Sequence, residues 1–482
     1  MSLLTTSIFA SQAQRTIGVG FHNVGSGGVL RASNTEVVKN VEAHYGARCG
    51  HIPLNAERTC VLVHAHTADI QAHLEYLSQL VGKEIQAITA DELRREQSLA
   101  SPALVVPYIN VPEAEQQIQD YLGAESWGLP GQMVTVLKNK AHFHQLLDEL
   151  DLDGFCVPDY RIVHVADLLN EALHFLATIE QMLKKAALSQ YPLGMMLRTA
   201  ESDGNYGCCM LYEKSGHVIL VPSAGVKSTS YSTWHEALVT AQDHLATTMN
   251  QEKEARIVVT RLLKLADSPG MSVVIMDGQI ESLRWNGQLQ NTGSKACVGT
   301  STYRPKNTYT AYLQRDYEDQ AVAFFEALLQ KTAQRCGVDF ASLRGVANLD
   351  LMLAGPLERQ LQKKRGQKPM HYLAECNPRW TNYTDAIMTV IGVNRKEQSI
   401  SNMRTVIQEG IATIDKYHIP IDIDPRAVRE CIFQRDELLK RQGTRVICRM
   451  LDNPLGLIFT GDIDRGQQEM ADIIRRLARK TS

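Results

Sequence analysis

Three polar side chains at alternate positions could do chemistry together. Glu375, Asn377 and Arg379 lie in the segment His-Tyr-Leu-Ala-Glu-Cys-Asn-Pro-Arg, residues 371–379. On a β-strand successive side chains point to opposite faces, so these three would share one face and Cys376 would lie on the packed face. A carboxylate, an amide oxygen and a guanidinium suit a divalent ion bound to phosphates, because such ions take oxygen ligands and a guanidinium fork matches phosphate.

A second acid stands in an apolar segment upstream. Asp350 lies within Gly345–Ala354. If this segment forms a strand that pairs with the strand of Glu375, the two carboxylates could share an ion. The alternative is a pair of half-buried strands whose acids are merely solvated, and the spacing alone leaves both interpretations open.

The composition is that of a soluble enzyme. The chain has 482 residues, which predicts two to four domains, and its net charge of −3 gives no reason to expect nucleic acid or a membrane surface as a partner. Ten cysteines lack Cys-x-x-Cys spacing, which favours reduced thiols and a cytoplasmic location. The first residues lack the positive start of a signal peptide, and no apolar stretch is long enough to span a membrane.

The elements that would position these residues begin with an α/β alternation. A strand at Arg15–Phe21, a glycine-containing loop at His22–Leu30 and a helix at Thr35–Tyr45 are followed by further strands up to Leu104–Val111. This order predicts a parallel sheet. The loop could hold a phosphate at the helix N-terminus or could be a tight turn, and its glycines at 25, 27 and 28 do not fit Gly-x-Gly-x-x-Gly.

A glycine hairpin is predicted in the middle of the chain. Strand Leu193–Arg198 and strand Cys208–Tyr212 flank a polar loop with Gly204 and Gly207. Such a hairpin could close over phosphate oxygens through its backbone N–H groups, or it could be an ordinary turn. An apolar strand, Arg256–Leu265, follows it.

Three later segments carry less specific expectations. The Gly/Ser/Thr-rich segment Gly293–Lys306 is predicted to be a loop, either mobile or binding a substrate carboxylate through Lys295 and Arg304. The basic segment Gly355–Met370 is predicted to be a solvated loop, with a cationic arm for an anionic partner as the alternative. Helices are predicted at Ile400–Ile414, Pro425–Arg441 and Gly466–Arg479.

Taken in order, residues 131–395 resemble the ATP-grasp enzymes. The resemblance rests on a lysine that opens a helix ending before Val-Pro, a strand with a cationic residue followed by a glycine loop, a hinge strand, a metal-binding acid and a Glu-x-Asn-x-Arg strand. These features correspond to Lys140 and Val157-Pro158, Arg198 with Gly204–Gly207, Val258–Leu263, Asp350, and Glu375–Arg379.

The resemblance implies a fold and a domain order. It implies an α/β fold in which residues 1–130 form a Rossmann-like pre-ATP-grasp domain that helps to hold the acceptor substrate. Residues 131–395 would form the ATP-grasp domain, with a lid at about 190–262, and residues 396–482 would complete its core.

The resemblance also implies roles for individual residues. ATP would be held with Mg²⁺, or with Mn²⁺ as the alternative ion, and the residues that touch the phosphate being transferred would be Arg379 and Arg198. The nucleotide-binding residues would be Lys140, Arg198, Gly204, Asn205, Gly207, Thr260, Arg261, Leu262 and Leu263. The metal ligands would be Asp350, Glu375 and Asn377.

Three positions depart from the family pattern. Arg198 stands where lysine is common, and its planar fork differs from an ammonium. Thr260 or Arg261 stands where the hinge often has a glutamate, which puts the nucleotide preference in doubt. The two acid-bearing strands are separated by the basic segment Gly355–Met370, where a short turn is common.

The function implied is ATP-dependent ligation of a carboxylic acid and an amine through an acyl phosphate, releasing ADP and phosphate. The substrates expected are amino-acid-like small molecules, and a homodimer is the default oligomeric expectation. Two other classes stay open: a nucleotide-binding protein of the same fold without ligase activity, and a dinucleotide-dependent oxidoreductase built on the N-terminal glycine loop.

Overall fold

The computed structural model of the chain describes residues 17–23, 52, 54–96, 102–150, 154–201, 207–222, 227–249, 255–290, 297–397, 403–450 and 455–481. The predicted helix Thr35–Tyr45 and most of the N-terminal glycine loop lie outside these ranges, as do Gly204, Asn205 and Lys295.

The first unit is a parallel five-stranded sheet with the strand order β3-β2-β1-β4-β5. Its strands are β1 (Ile17–Phe21), β2 (Arg58–Leu62), β3 (Ile85–Ile88), β4 (Leu104–Pro107) and β5 (Glu125–Ser126). Its helices are α1 (Ala68–Val81), α2 (Ala90–Glu96) and α3 (Pro112–Gln116), the last continued by a π-helical turn at Gln117–Tyr121. The α/β alternation in the sequence predicts this arrangement correctly.

The second unit is an antiparallel six-stranded sheet with the order β11-β10-β9-β8-β12-β7. Before it in the chain come α4 (Gly131–Lys138), α5 (Lys140–Leu147) and β6 (Phe155–Cys156), which pack with the ten-stranded sheet described next. The unit itself begins with β7 (Tyr160–His164) and α6 (Leu168–Lys185). The remaining elements are β8 (Gly194–Thr199), β9 (Cys208–Lys214), β10 (His217–Pro222), β11 (Thr229–Tyr231), α7 (Trp234–Thr248) and β12 (Arg256–Arg261). Helices α6 and α7 bury apolar faces against this sheet and form a core of their own.

The third unit is a ten-stranded sheet that runs β20-β21-β19-β16-β15-β14-β17-β18-β6, with β13 paired to β17. Its elements up to the second acid strand are β13 (Leu265–Asp267), β14 (Gly270–Met276), β15 (Gln279–Gln290), β16 (Cys297–Thr302), α8 (Thr308–Cys336), β17 (Arg344–Ala354), α9 (Pro356–Lys364) and β18 (His371–Asn377). The elements after it are α10 (Asn382–Lys396), α11 (Met403–Glu409), β19 (Ile411–Tyr417), α12 (Pro425–Arg441), β20 (Thr444–Cys448), β21 (Leu455–Gly461) and α13 (Ile463–Thr481).

The largest core lies on the ten-stranded sheet. It joins strands β14, β17 and β18 to helices α4, α5, α8 and α10, and Cys376 belongs to it, as predicted. Capping fixes where several of these helices begin: the side chain of Asn307 accepts a hydrogen bond from the Thr310 N–H at the start of α8. The glycine at 337, with φ of 66°, ends the same helix.

The loop prediction for Gly293–Lys306 is wrong over Cys297–Thr302, which is strand β16. This strand pairs with β15 and β19 in the middle of the large sheet. A Cβ on Gly299 would lie 1.8 Å from the carbonyl oxygen of Thr413. The glycine therefore permits close approach of two backbones, and does not mark a loop.

The prediction of a solvated loop at Gly355–Met370 is also wrong, because Pro356–Lys364 is helix α9. Pro356 occupies the first turn, where the missing N–H costs nothing. Leu361 is buried in the core of the six-stranded unit, and Leu357 packs against it one turn earlier. An apolar pair at i, i+4 thus holds a helix whose other residues are mostly charged.

The helix predicted at Ile400–Ile414 ends earlier than expected. Helix α11 stops at Glu409, Gly410 takes φ of 86°, and β19 begins at Ile411. The left-handed glycine terminates the helix, and the β-branched residues after it enter the sheet.

Candidate active site

Asp350 and Glu375 face each other across strands β17 and β18. The strands are antiparallel, and these two acids are direct partners in the register. Asn348 and Asn377 form a second pair two residues along each strand, on the same face. The pairing that the sequence left open therefore exists, and it groups two carboxylates and two amides on one patch of the sheet.

The environment of Asp350 disfavours two negative charges. Burial, followed by the charge of Glu375, raises the pKa of Asp350 to about 8. The Nδ2 of Asn348 donates to Asp350 Oδ1 at 2.7 Å and thereby orients the carboxylate. Two crowded carboxylates need either a shared proton or a cation, and a divalent cation would satisfy both.

The donor set fits magnesium through oxygen ligands alone. In the part of the chain that the structure describes, no group of three His, Cys, Asp or Glu side chains is arranged to hold a metal. An ion would therefore rest on Asp350 and Glu375, with Asn377 and phosphate oxygens completing its shell. At present Asn377 Nδ2 donates to Asp350 Oδ2 at 3.3 Å, so ligation through Oδ1 requires the amide to turn.

Lys140 brings a buried positive charge to the acid pair. Its Nζ lies 3.6 Å from Glu375 Oε2, and its side chain is 4% exposed. The residue opens helix α5, where the Asn139 side chain caps the N–H groups of Ala141 and His142. The cap and the hydrogen bond from the Lys140 N–H to the Ala200 carbonyl (2.8 Å) fix the backbone of this lysine against the six-stranded sheet.

Arg198 reaches the same patch from strand β8. Its Nη1 donates to the carbonyl oxygen of Ala374 at 3.3 Å, and its Nε is buried with no hydrogen-bond partner in the described structure. A buried guanidinium N–H without an acceptor is costly, and a phosphate oxygen is a suitable acceptor. The structure thus brings Lys140 and Arg198 to the acid pair from two different elements.

Arg379 connects the patch to the N-terminal unit. Its Nη2 donates to Asn377 Oδ1 at 3.1 Å, and its Nη1 donates to the Tyr108 hydroxyl at 3.1 Å. The Trp380 N–H donates to the Tyr108 carbonyl oxygen at 3.1 Å, and the rings of Trp380 and Trp127 lie 5.7 Å apart. The carboxyl end of strand β4 therefore lies against the end of strand β18, as in folds where ligands bind at the carboxyl edge of a parallel sheet.

The glycine hairpin is described only in part. Gly207 has φ of 69°, and its carbonyl oxygen accepts a hydrogen bond from the Thr199 N–H at 2.9 Å. Strands β8 and β9 pair antiparallel from Gly194 to Arg198, as the sequence predicts. The assignments of Gly204 and Asn205 to the nucleotide lie outside the described residues.

The predicted hinge has its backbone groups in use, apart from one residue. Thr260 pairs with strands on both sides of β12, and the Arg261 N–H donates to the Asp159 carbonyl oxygen at 3.1 Å. The Leu262 N–H donates to the Gly194 carbonyl oxygen at 3.0 Å, and its own carbonyl oxygen lies 3.1 Å from the Tyr191 hydroxyl. Within the described residues, the N–H and C=O of Leu263 take part in no hydrogen bond.

The side chain of Arg261 is occupied by two carboxylates. It is buried and forms ion pairs with Glu358 at 2.6 Å and Asp159 at 3.1 Å. Burial alone would raise the pKa of Glu358, but the hydrogen bonds and charge of Arg261 hold that pKa below its usual value. The hinge arginine is thus neutralised by a carboxylate from helix α9.

The cations predicted near the strand β16 segment are engaged elsewhere. Arg304 pairs with Asp464 at 3.2 Å, and Lys306 pairs with Asp267 at 2.5 Å. These pairs leave the proposed recognition of a substrate carboxylate without support from Arg304.

Three residues near the site were not predicted from the sequence. For two of them, the sequence pattern could have indicated a role. Asn348 lies two positions before Asp350, so strand alternation places it on the same face. Glu358 is the lone acid of a basic segment. Tyr108 follows strand β4 by one residue, and only the packing of the two sheets shows that it reaches Arg379.

Together the six-stranded and ten-stranded sheets form the ATP-grasp fold, and the parallel Rossmann-like sheet precedes them. No protein-family model and no curated protein sequence matches the chain. Solved structures do match over almost the whole length.

Three of these structures illustrate the likeness. An ADP complex of N5-carboxyaminoimidazole ribonucleotide synthetase has a TM-score of 0.50 at 12% identity, covering 95% of this chain and 96% of that one. The Aspergillus clavatus enzyme with ADP and 5-aminoimidazole ribonucleotide has 0.50 at 12% identity, covering 97% and 99%. Biotin carboxylase from Campylobacter jejuni has 0.52 at 8% identity, covering 95% and 90%. At these identities the likeness establishes the fold.

No helix among the described residues combines the length and the apolar character that crossing a membrane requires.

Proposed function

We propose that this protein is an ATP-dependent ligase that joins a carboxylic acid to an amine, forming an amide or peptide bond on amino-acid-like or other small substrates. The observation that carries the proposal is the grouping of Asp350, Glu375 and Lys140, two facing carboxylates with a buried ammonium 3.6 Å from one of them. This is the charge arrangement that a metal-bound triphosphate requires.

The polypeptide would hold Mg²⁺ through Asp350, Glu375 and Asn377, with Mn²⁺ as an alternative ion. When bound, the ion would neutralise phosphate charge and orient the phosphates. Lys140 and Arg198 would contact phosphate oxygens directly. Arg379 would give up Asn377 Oδ1 and donate to the phosphoryl group being transferred.

The reaction needs charge neutralisation and positioning more than a protein nucleophile. A carboxylate oxygen of the acid would attack the γ-phosphorus of ATP, breaking the bond to the β-phosphate oxygen and releasing ADP. The amine nitrogen would then attack the acyl carbon, releasing phosphate and a proton. Positive groups at Lys140, Arg198 and Arg379 would stabilise the charge that develops on the transferred oxygens.

The six-stranded unit would act as the lid over this chemistry. The glycine hairpin between β8 and β9, with Gly204, Asn205 and Gly207, would close on the triphosphate and keep water from the acyl phosphate. The carboxyl edge of the parallel sheet, represented by Tyr108 beside Arg379, would hold the acceptor substrate.

The test is release of ADP from ATP and Mg²⁺ in the presence of pooled carboxylic acids, with hydroxylamine as the amine. The panel includes amino acids and bicarbonate, since the similar structures include a carboxyaminoimidazole ribonucleotide synthetase and a biotin carboxylase. We expect ADP and a hydroxamate with one subset of acids, or ADP and phosphate where the activated acid is bicarbonate.

Matched variants sharpen this test. Glu375→Gln keeps the size of the side chain and removes one negative charge, so ADP release should fall by at least about a hundredfold. Glu171→Gln, at an exposed position of helix α6, is the control and should retain full activity. Full turnover by the Glu375 variant would contradict the assignment of the metal site.

A second candidate is a nucleotide-binding protein of the same fold without ligase activity. The observation in its favour is the hinge, where Arg261 is withdrawn into an ion pair with Glu358. Tight binding of ATP and Mg²⁺ without ADP release across the whole panel would favour this candidate over the ligase.

A further inference from the structure

Helix α9 inserts one carboxylate into the base of the predicted hinge. Although the helix is mostly polar, Glu358 is 0% exposed. Its Oε1 accepts from Arg261 Nη2 at 2.6 Å and from the Tyr372 hydroxyl at 2.6 Å. Its Oε2 accepts from Arg261 Nη1 at 3.1 Å and contacts the Tyr191 hydroxyl. A carboxylate this deeply buried and this fully hydrogen-bonded has one defined position.

The Tyr191 hydroxyl transmits that position to the chain backbone. It lies 2.5 Å from Arg261 Nη1, 3.1 Å from the Leu262 carbonyl oxygen and 3.2 Å from the Lys264 nitrogen. The Lys264 N–H also lies 3.4 Å from Glu358 Oε2. One hydroxyl and one carboxylate therefore hold the peptide groups on both sides of Leu263.

Peptide planarity determines where the groups of Leu263 point. In a trans peptide the N–H points opposite to the preceding C=O, so the Leu263 N–H points away from Tyr191 because the Leu262 carbonyl faces it. By the same rule the Leu263 carbonyl points away from Tyr191, because the Lys264 N–H faces it. The N–H and C=O of Leu263 are thus presented together on the side of the hinge opposite Glu358.

This donor and acceptor pair is complementary to adenine. An adenine edge carries the N6 amino donor beside a ring-nitrogen acceptor, whereas the corresponding edge of guanine carries two acceptors, O6 and N7. If the Leu263 N–H and C=O are fixed in direction, they match the donor and acceptor of adenine and not the two acceptors of guanine. If the peptide groups could rotate, this discrimination would be lost.

We propose that Glu358 is a positioning residue for base recognition: through Tyr191 and Arg261 it holds the Leu263 backbone so that the site takes ATP in preference to GTP. The proposal rests on the proposed function, since it concerns the same nucleotide site. On this proposal helix α9 supports the nucleotide site, whereas the cationic arm considered for this segment would attract an anionic partner.

The test compares three ligands by isothermal titration calorimetry with Mg²⁺: ATP, GTP and inorganic tripolyphosphate. Glu358→Gln should weaken ATP binding about tenfold or more and reduce the preference for ATP over GTP, while binding of tripolyphosphate, which has no base, stays the same. A merely structural defect would weaken ATP and tripolyphosphate alike.

A second variant keeps the test decisive if Glu358→Gln does not fold. Tyr191→Phe retains the ion pair of Glu358 with Arg261 and removes the hydroxyl that contacts Leu262 and Lys264, so it should show the same loss of base discrimination. Lys364→Gln, at an exposed position of the same helix, is the control and should bind all three ligands as the wild type does.

Two outcomes separate this proposal from the proposed function. If the wild type prefers ATP and both variants keep that preference, the role of Glu358 is refuted and the nucleotide site stands. If the wild type binds none of the three ligands, the proposed function fails and this inference fails with it.

Discussion

The ammonium of Lys140 lies 3.6 Å from Glu375 Oε2, which ties the first residue of helix α5 to the second acid strand. Lys140 and Asp350 are thus both neighbours of the Glu375 carboxylate, one with positive and one with negative charge. The charges of Lys140, Glu375 and Asp350 together determine which ions the site can bind.

Replacing Lys140 by methionine should weaken binding of ATP with Mg²⁺ by about one to two orders of magnitude. The variant keeps the buried aliphatic stem and removes the charge that is proposed to contact phosphate, and a charge-assisted hydrogen bond contributes about 2 kcal/mol. Calorimetry gives the dissociation constant, and Lys184→Met, on an exposed surface of helix α6, is the matched control. An unchanged constant would remove Lys140 from the site.

Asn348 should affect metal affinity without being a ligand in our assignment. Its Nδ2 donates to Asp350, and its Oδ1 accepts from Ser272 at 3.0 Å and Asn286 at 2.9 Å. Asn348→Ala should lower Mn²⁺ affinity several-fold and reduce the free energy of unfolding by about 1–3 kcal/mol, because buried polar groups lose their partners.

Electron paramagnetic resonance of free Mn²⁺ measures that affinity. Ser272→Ala is the informative comparison, since it leaves the Asn348–Asp350 hydrogen bond in place and should retain Mn²⁺ binding while losing some stability. Equal Mn²⁺ affinities in the wild type and the Asn348 variant would show that Asp350 needs no such support.

Acid should destabilise the protein through two buried imidazoles. Burial, followed by the charge of Arg198, lowers the pKa of His144 to about 3, although the hydrogen bond to the Lys140 carbonyl opposes the shift, and burial likewise lowers the pKa of His371 to about 3. Because the folded pKa lies below the unfolded value of 6.5, this stability is present above pH 6.5 and is lost as the pH falls. Each histidine should contribute about 1 kcal/mol per pH unit between about pH 6 and pH 4.

Urea denaturation across that pH range measures the slope. His371→Gln should reduce this slope by about one proton. A slope that His371→Gln does not alter would show that this imidazole titrates similarly in the folded and unfolded chain.

Gly299→Ala should destabilise the large sheet by about 3 kcal/mol, since the added methyl group would meet the Thr413 carbonyl and strands β16 and β19 would have to separate. The neighbouring Gly287 provides the control, because a Cβ there meets nothing nearer than 3.6 Å. The unfolding midpoint in urea should fall for the first variant and change little for the second. Similar midpoints would mean that the sheet accommodates the methyl group.

Strands that are indicated by the residues within them can be predicted from the sequence. Contacts between segments far apart in the chain cannot be predicted in this way. Alternation around Glu375 and the apolar run around Asp350 correctly predicted β18 and β17. Their register was not predictable, because it depends on the length of the intervening helix α9 and on a bulge after Asp350.

Helix α9 shows why the rest was missed. Its charged residues dominate the composition, whereas its buried acid, Glu358, pairs with Arg261, which lies 97 residues from it in the sequence. Strand β16 was mistaken for a loop for a similar reason, since the approach of Thr413 is invisible in the sequence around Gly299. Propensity describes a segment by itself, and these two segments are defined by their neighbours.

The contact between Tyr108 and the Arg379–Trp380 turn has a consequence for engineering. The backbone of Tyr108 hydrogen-bonds to Trp380 while its hydroxyl bonds to Arg379, so the parallel sheet and the acid strand are aligned by the same residue. Exchanging the N-terminal unit for that of a relative would therefore also disturb Arg379, the arginine that we propose meets the transferred phosphate. A chimaeric protein would have to keep both Tyr108 and the Arg379–Trp380 turn to preserve the position of Arg379.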